Sequence, residues 1–320
     1  MIEVYRPNGC SGNCLVTIAI GDVYKSEWKT NALPGWLKYC DCHDLGLFVV
    51  TADLIAKEHP KWKKPTWQKL LLGQALKEEG IGAINICYLD TDILINPMAP
   101  NIFDHYDGRS YGLVSQIKNL PMPLDLVMRQ YVFLRHNFYD RGYPLDSVVF
   151  MPLAKQYEYS GLAAVDDSAC AGLILFNVAE LADEMEGWFQ KYDKQTASVT
   201  DGDQTHLNWE MISSGRVQWL PYEFQALWVY EMAWKYPFLY TTHQSNKTLI
   251  RECIEASMFS NYFFHFAGSW HESDMWLVGD IMADPNVIKT HADFQDYMKQ
   301  PLTGEPKGLI KPAKTNMSGD

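Results

Sequence analysis

An apolar run of strand length that ends in two carboxylates constrains the fold more than any other feature of this sequence. Residues 84–89 read Ile-Asn-Ile-Cys-Tyr-Leu, and Asp90-Thr91-Asp92 follow directly. Residues two apart in a strand point to the same side, so Asp90 and Asp92 are able to converge on one cation. Carboxylate oxygens are hard ligands of the kind that Mg²⁺ and Mn²⁺ prefer. The segment therefore predicts a buried strand that ends at a divalent metal site, and a diphosphate is a natural further ligand for such an ion.

The segments before this site alternate between strand and helix. In order, they are a strand at 14–20, a helical segment interrupted at Pro34-Gly35, a strand at 45–50 and a helix at 67–79. Such alternation is typical of an α/β fold, a mostly parallel, Rossmann-like sheet with helices on both faces. Ligands of these sheets bind beyond the carboxyl ends of the strands, where the two aspartates lie.

The second half of the chain continues this pattern around an insertion. Residues 120–161 are helical and irregular in pattern and rich in aromatic side chains, and we interpret them as an insertion over the sheet, on the acceptor side. The other predicted elements are strands at 112–116, 172–176 and 217–220, helices near 181–189 and 204–214, and a late apolar run at 263–268. We expect one domain over residues 1–300 and a mobile tail rich in Lys, Pro and Gly at 301–320.

Composition narrows the partners and the compartment. The formal net charge of -12 argues against a nucleic-acid partner, since binding to a phosphate backbone requires a surplus of Lys and Arg. An acidic protein that binds an anionic ligand needs a bound cation. No stretch approaches the roughly 18 continuous apolar residues of a transmembrane segment, and residues 1–6 lack the charged-then-apolar order of a signal peptide. We therefore expect a soluble, cytoplasmic protein.

The cysteines favour reduced thiols. Seven is an odd number, which fits free thiols better than a disulfide framework. Residues of the types that bind zinc occur at Cys10, Cys14, Cys40, Cys42 and His43. Their spacings match no standard zinc module and the second of them opens an apolar strand, so we interpret them as thiols without a metal.

Several short motifs occur in an order that resembles one protein family, over about residues 14–270. They are Leu15-Val16-Thr17-Ile18-Ala19 with Asp22 and Tyr24, Trp67-Gln68-Lys69, Tyr88-Leu89-Asp90-Thr91-Asp92, Ala171-Gly172-Leu173-Ile174-Leu175-Phe176-Asn177, Asp203-Gln204 with Leu207-Asn208, Leu220-Pro221, and His265-Phe266-Ala267-Gly268. This ordered set resembles the metal-dependent GT-A glycosyltransferases, particularly the glycogenin-like and lipopolysaccharide-galactosyltransferase-like group, glycosyltransferase family 8. The resemblance implies a GT-A fold and transfer of a sugar from a nucleotide-sugar donor, a UDP-sugar by preference, to a glycan or other hydroxyl acceptor.

The resemblance also implies a role for individual residues. Asp90 and Asp92 match the metal-binding Asp-x-Asp pair, and His265 matches the third ligand of a Mn²⁺ or Mg²⁺ ion. The positions that it implies for donor binding are Thr17, Ala19 and Tyr24 at the nucleoside, Lys69 near the donor, Asp167 facing the donor sugar, Gly268 and His271 at the diphosphate, and also Asp90 and Gly172.

The chemistry of glycosyl transfer makes sense of these residue types. Breaking the bond between the sugar and the diphosphate develops negative charge on the leaving phosphate and positive charge on the sugar. A metal ion stabilises the first charge as a Lewis acid. The resemblance places Asp203 and Gln204 where donor and acceptor meet, where a carboxylate or an amide dipole stabilises the second charge. It favours retention of configuration, with both residues flanking a front-side substitution, and in an inverting enzyme Asp203 is the candidate base.

Two positions depart from the motifs of this family. Cys170-Ala171-Gly172 stands where Asn-Ala-Gly is usual, so a thiol replaces an amide that is expected to touch sugar hydroxyls. His271 occupies the place of a lysine on the diphosphate, where a protonated imidazole supplies a weaker and pH-dependent positive charge.

Two other functions fit parts of the sequence. A nucleotide-sugar-binding protein without turnover is one alternative, because both departures fall on donor contacts. A haloacid-dehalogenase-like phosphatase is the other, since its strand also ends in Asp-x-Asp and Asp166-Asp167 resembles its later acidic pair. In that class the first aspartate follows the first core strand, with Thr or Val at the position that Leu94 fills here, so we disfavour this alternative.

Overall fold

The protein is described from a computed structural model, in which residues 1–138, 152–193, 203–267 and 277–299 are described. Ten strands lie in these ranges and form two sheets. They are β1 (Ile2–Arg6), β2 (Asn13–Ile18), β3 (Gly46–Val50), β4 (Asn85–Leu89), β5 (Ile93–Ile95), β6 (Tyr111–Val114), β7 (Leu173–Asn177), β8 (Val217–Leu220), β9 (Ala226–Leu227) and β10 (Phe263–His265).

Helices connect and cover these strands. The α-helices of the described ranges are α1 (Asp22–Glu27), α2 (Leu33–His43), α3 (Pro65–Gln68), α4 (Leu72–Glu78), α5 (Leu124–Phe138), α6 (Leu153–Tyr159), α7 (Val178–Lys191), α8 (Gln204–Ser213), α9 (Trp228–Lys235), α10 (Lys247–Ser260) and α11 (Pro285–Lys299). A π-helical turn (Trp28–Ala32) joins α1 to α2, and 3₁₀ turns lie at Ile102–His105, Lys69–Leu71, Tyr222–Gln225, Pro237–Tyr240 and Ile281–Ala283. None of the helices in the described ranges has both the length and the apolar character needed to cross a membrane.

The seven-stranded sheet has the order β1-β3-β2-β4-β7-β6-β8. Its strands β3, β2, β4, β6 and β8 run in one direction, whereas β1 and β7 run in the opposite direction. Strands β2, β3 and β7 alternate between two hydrophobic clusters, with Leu15 on one face of the sheet and Val16 on the other. Strands buried on both faces are expected where helices cover both sides of a sheet. The predicted α/β class is therefore confirmed.

Several predicted elements differ from the structure in their bounds. The first strand ends at Ile18 rather than at residue 20, because the chain turns at Gly21 (φ 99°) into α1. The helical segment after it is not interrupted at Pro34-Gly35, since a proline in the first turn of a helix leaves no hydrogen bond unmade. The predicted helix at 67–79 is two short helices joined by a 3₁₀ turn. Strand β1 had no counterpart among the predicted elements, because its half-exposed residues mix charged and apolar side chains.

The antiparallel direction of β7 positions the candidate site. Because β7 is antiparallel to β4, the first residues of β7 lie beside the last residues of β4. The backbone N–H of Asp90 donates to the carbonyl oxygen of Gly172 at 2.8 Å. At the opposite edge, Asn85 donates to Asn13 and accepts from Asn177, which ties β2, β4 and β7 together through their side chains. These contacts fix the register that brings Gly172 beside Asp90.

The smaller sheet brings a distant residue to this same edge. Its strand order is β5-β10-β9, and β5 follows Asp92 directly in the chain. In the antiparallel pair of β5 and β10, Ile93 lies opposite His265. The N–H of Phe266 donates to the carbonyl oxygen of Asp92 at 3.0 Å. The predicted apolar run at 263–268 is thus a strand whose last residue lies next to the second aspartate.

The predicted insertion is helical where it is described. Helix α5 packs against α9, and the Tyr157 hydroxyl of α6 donates to the backbone oxygen of Asp167 at 3.0 Å. Residues 139–151 of the insertion, and the predicted tail at 301–320, lie outside the described residues. The extent of the single domain stays a prediction.

We expect Trp36 to stabilise the link between α2 and the metal-site edge. Its indole N–H donates to the carbonyl oxygen of Ile93 at 2.8 Å, and its ring is fully buried. Trp36→Phe leaves this acceptor without a partner and should lower the free energy of unfolding by about 2 kcal/mol. Trp234→Phe, at a side chain that is 41% exposed, is the matched control and should change it by less than about 0.5 kcal/mol. Urea unfolding of both variants measures this, and equal midpoints would contradict the expectation.

Candidate metal centre and active site

Three predicted metal ligands come together at the carboxyl end of β4, a central strand of the large sheet. Asp90, Asp92 and His265 each offer a ligand atom, and these atoms all lie within 4.8 Å of one another. His265 Nε2 is 3.2 Å from Asp92 Oδ1 and 4.0 Å from Asp90 Oδ2. This is the one group of at least three such side chains found within the described ranges. The prediction that these residues converge is confirmed.

The donor set fits a divalent cation. The two carboxylates are half-buried and the imidazole is buried, so an ion reaches the cluster from the side of the carboxylates. Carboxylate oxygens with one imidazole are ligands that Mn²⁺ accepts readily, and Mg²⁺ favours the oxygens. Burial disfavours charge on both His265 and Asp92, but their mutual attraction outweighs it. It raises the pKa of His265 well above its usual value and lowers the pKa of Asp92. A metal ion at Nε2 therefore displaces a proton.

Glycine at position 172 leaves the space that the cluster occupies. A Cβ atom at Gly172 would lie 2.4 Å from His265 Cε1 and 2.7 Å from Asp90 Oδ2. Both distances are shorter than any side chain tolerates, so only glycine allows the backbone this close to both ligands. The resemblance placed Gly172 among the donor-binding positions, and the structure places it directly against two of the candidate metal ligands.

A buried ion pair lies behind the cluster and contains two predicted site residues. Lys69 Nζ is 2.9 Å from Asp203 Oδ2 and donates to the carbonyl oxygen of Ala171 at 2.7 Å. Burial lowers the pKa of Lys69, but Asp203 and Asp90 outweigh it and leave that pKa raised. Burial also raises the pKa of Asp203, and Lys69 opposes this only in part. The pair thus fixes one positive and one acidic group beside the backbone that leads into Gly172.

Tyr88 connects this ion pair to the metal ligands. Its hydroxyl donates to Asp90 Oδ1, and Lys69 Nζ lies 4.8 Å from the centre of its ring. Burial, followed by the charge of Asp90, raises the pKa of Tyr88 well above its usual value, so the phenol keeps its proton. Tyr88 was missed as a site residue. Its position two residues before Asp90 on the same strand is the signal that points to it.

A cavity of about 370 Å³ opens beside the two aspartates. Residues that line this cavity include Ile18, Ile20, Tyr24, Trp28, Lys64, Tyr88, Asp90 and Asp92. Tyr24 is 55% exposed, so the face of its ring is available to a ligand. Thr17 and Ala19 are fully buried, and their neighbours Ile18 and Ile20 line the cavity instead. Contact of Thr17 and Ala19 with a nucleoside stays a prediction.

A second cavity of about 780 Å³ lies against the insertion, next to the first residue of α8 and to Tyr230 of α9. Its lining includes the apolar side chains Ile117, Leu124, Met128, Val132, Leu153 and Tyr230. Gln204 and Ser168 also line it. Because Gln204 follows Asp203, this cavity borders the buried ion pair that lies behind the metal ligands.

Of the other residues predicted to contact the donor, only Asp167 lies within the described part of the chain. Asp167 is buried, and its Oδ1 accepts hydrogen bonds from the Ser115 hydroxyl at 2.6 Å and from the N–H of Ser168 at 2.8 Å. It therefore joins β6 to the segment that leads into Gly172. Gly268 and His271 lie outside the described residues.

Five of the cysteines are buried, and two, Cys10 and Cys42, are exposed. Cys170 is buried, and its Sγ lies 3.6 Å from Nδ1 of His265. The thiol that stands in place of the family's amide therefore contacts the imidazole. All seven cysteines are free thiols. Four of them, Cys10, Cys14, Cys40 and Cys42, were considered as zinc ligands from the sequence. None of these four belongs to a metal-ligand cluster within the described part of the chain.

We expect Gly172→Ala to weaken metal binding without unfolding the protein. The added methyl group displaces His265 or Asp90, so the dissociation constant for Mn²⁺ should rise by about tenfold or more, as for a loss of about 1.4 kcal/mol. Gly187→Ala is the matched control, because nothing lies within 4 Å of a Cβ atom at that position. Isothermal titration with Mn²⁺ gives both constants, and circular dichroism reports the fold. Unchanged affinity in Gly172→Ala would contradict the close approach as the source of the site.

Comparisons with known proteins give structural similarity alone. No family model matches the sequence, and no curated protein matches it. The chain is similar to a solved glycosyltransferase involved in the glycosylation of the major capsid of PBCV-1, with a TM-score of 0.46 and 9% identity over 82% of this chain and 98% of that one. It is also similar to the bifunctional glycosyltransferase WbbM, with a TM-score of 0.49 and 14% identity over 90% of this chain and 52% of that one. The galactosyltransferase LgtC, solved with donor and acceptor sugar analogs, gives a TM-score of 0.45 and 14% identity over 87% of this chain and 95% of that one. These solved proteins are glycosyltransferases, the class that the sequence motifs resemble.

Proposed function

We propose that the protein is a metal-dependent glycosyltransferase of the GT-A type, which transfers a sugar from a nucleotide-sugar donor to a hydroxyl acceptor. One observation carries this proposal. A single cavity runs from the exposed ring of Tyr24 to the carboxylates of Asp90 and Asp92, where His265 completes the set of metal ligands. A ligand with a flat base at one end and a diphosphate at the other matches both ends of the cavity.

Different residues of this cavity are suited to different parts of the donor. Asp90, Asp92 and His265 would hold a Mn²⁺ or Mg²⁺ ion, and that ion would supply Lewis-acid stabilisation to the leaving diphosphate. Lys64 adds a positive charge at the cavity wall. Tyr24 offers a ring on which a base stacks, and a uridine is the base that the motif resemblance favours. Thr17 and Ala19 at the nucleoside, and Gly268 and His271 at the diphosphate, complete this proposal.

Asp203 and Gln204 are the groups that we assign to the sugar. Lys69 fixes the carboxylate of Asp203 through their buried ion pair, and Asp203 in turn starts α8, whose first residue is Gln204. A positioned carboxylate and amide stabilise the positive charge that develops on the sugar without reorganising during the reaction. We propose a front-side substitution with retention of configuration between them. In an inverting reaction Asp203 is the base, and its raised pKa suits that task.

The acceptor fits the second cavity. Gln204 lines that cavity, so an acceptor held there presents its hydroxyl next to the proposed catalytic residues. The apolar lining supplied by α5, α6 and Tyr230 favours an acceptor that carries an apolar portion beside its reacting hydroxyl. We place the reaction in the cytoplasm.

Two alternatives remain as outcomes of the experiments. A nucleotide-sugar-binding protein has the same metal centre and releases no nucleoside diphosphate. A phosphatase of the haloacid-dehalogenase type requires an acidic pair near Asp90, but Asp166 is exposed and paired with Lys118 at 2.7 Å, and neither Asp166 nor Asp167 belongs to the cluster at Asp90.

We expect Asp92→Ala to abolish Mn²⁺ binding and to lower the release of UDP from UDP-sugars by about 100-fold or more, because the ion loses a charged ligand. Asp166→Ala is the matched control, since this exposed aspartate matters only for a phosphatase. Isothermal titration and a coupled assay with a panel of nucleotide sugars and Mn²⁺ measure both effects. Full activity of Asp92→Ala would refute the metal assignment. Binding of donor without release of diphosphate would favour the binding protein, and release of phosphate from simple phosphomonoesters would favour the phosphatase.

We expect Met128→Asp to weaken acceptor binding alone. The charge replaces an apolar contact in the second cavity, so the KM for an alkyl or aryl glycoside acceptor should rise by about tenfold, which corresponds to the burial energy of such a side chain. Release of UDP without acceptor should stay unchanged. Leu126→Asp, at an exposed position of the same helix, is the control. An unchanged KM in Met128→Asp would remove this cavity as the acceptor site.

A further inference from the structure

His265 is able to bind a metal ion through only one of its ring nitrogens. Nε2 faces both aspartates, at 3.2 Å from Asp92 and 4.0 Å from Asp90. A neutral imidazole that offers the lone pair of Nε2 to an ion carries its proton on Nδ1. Which nitrogen carries the proton is set by the hydrogen bond that the other one makes. The metal centre therefore depends on the groups that face Nδ1.

Two side chains of the described residues face Nδ1. Gln225 places its side-chain nitrogen 3.3 Å from it, and Cys170 places its sulfur 3.6 Å from it. His265 is 1% exposed and Gln225 is 2% exposed, so solvent has little access to this side of the ring. A buried N–H group needs an acceptor within the protein. Sulfur is a weak acceptor, whereas an amide oxygen is a strong one.

The two ends of the Gln225 amide have different surroundings. Its nitrogen faces Nδ1, while its Oε1 is buried without a hydrogen-bond partner. In this orientation neither Gln225 nor the weakly accepting sulfur of Cys170 offers a strong acceptor to a proton on Nδ1.

A half turn of the same amide gives the arrangement that a metal ion needs. The oxygen and nitrogen of a glutamine amide occupy nearly equivalent positions, so rotation about the last side-chain bond exchanges them. Oε1 then accepts the proton of Nδ1–H, and the lone pair of Nε2 is free for the ion.

The backbone holds Gln225 in place for this role. It is the last residue of the 3₁₀ turn Tyr222–Gln225, directly before β9. In the parallel pair of β9 and β10, Leu227 lies opposite His265. The backbone around Gln225 is therefore tied by strand pairing to the strand that carries the imidazole, and a half turn of the amide needs no backbone movement.

We propose that Gln225 is a positioning residue for the metal centre, whose amide oxygen fixes His265 as the Nδ1–H tautomer when the ion binds. This inference rests on the metal site of the proposed function and extends it to a residue that touches neither the ion nor the donor. The motif Leu220-Pro221 lies close before Gln225 in the sequence, but nothing local marks the glutamine as part of the site.

The test compares two substitutions of Gln225 by their affinity for Mn²⁺. Gln225→Met has a similar length and no acceptor, and it should raise the dissociation constant about 10- to 100-fold, as loss of a group behind a metal-bound histidine does. Gln225→Glu keeps an acceptor for Nδ1–H and should bind Mn²⁺ within a few-fold of the unmodified protein. A purely structural role gives the reverse order, because a buried carboxylate disrupts packing more than a methionine. Gln190→Met, at an exposed position of α7, is the control and should not change the affinity.

A second measurement observes the ring proton itself. In the Co²⁺-loaded protein, the Nδ1–H proton of a bound imidazole gives a strongly shifted proton resonance that persists in water when an acceptor protects it from exchange. We expect this resonance in the unmodified protein and in Gln225→Glu, and its loss in Gln225→Met. If Gln225→Met does not fold, Gln225→Asn replaces it, since its shorter side chain withdraws the acceptor from Nδ1 and should also raise the dissociation constant for Mn²⁺.

The outcomes separate this inference from the proposed function. Absence of Mn²⁺ binding in the unmodified protein overturns both. Binding by the unmodified protein with equal affinity in Gln225→Met, or with weaker affinity in Gln225→Glu than in Gln225→Met, overturns the role of Gln225 and leaves the proposed function standing.

Discussion

The contact between the backbones of Gly172 and Asp90 is the constraint on which the rest of the site depends. The N–H of Asp90 donates to Gly172 at 2.8 Å, and there is no room for a Cβ atom between this backbone and the ring of His265. Three segments that are far apart in the chain meet here because β7 runs against β4 and β10 runs against β5. The three candidate metal ligands are therefore held by two sheets at once, and neither sheet alone assembles them.

Charge balance at this edge follows from the same assembly. Charged groups that leave water must be paired, because an isolated buried charge is strongly destabilising. Lys69 pairs with Asp203, and His265 pairs with Asp92. The hydroxyl of Tyr88 donates a hydrogen bond to Asp90. A buried network of this kind contributes little to stability compared with apolar packing. Its position beside a cavity, with perturbed pKa values, is typical of a functional site.

Sequence patterns predicted the centre of this site better than its surroundings. Asp90 and Asp92 were predicted from a local pattern, an apolar run that ends in two carboxylates, whereas His265 was assigned through the resemblance of its motif to the family. Other residues behaved differently once their neighbours were known. Thr17 and Ala19 are fully buried beside residues that line the cavity, and Cys170 contacts the imidazole of His265. Tyr88 belongs to a recognised motif but was given no role in the site, and Gln225 belongs to none of the motifs.

The sequence by itself determined the α/β class, the strands that carry the two aspartates and the histidine, and the chemistry that those side chains are suited for. Alternation and apolar runs are local properties, and they survive in whatever tertiary arrangement the chain adopts. Only the tertiary structure decided the direction of β7, the ion pair of Lys69 with Asp203, and the place of Gln225 behind His265. Those contacts join residues that are distant in the chain. The order and register of strands bring them together, and no local pattern encodes that order.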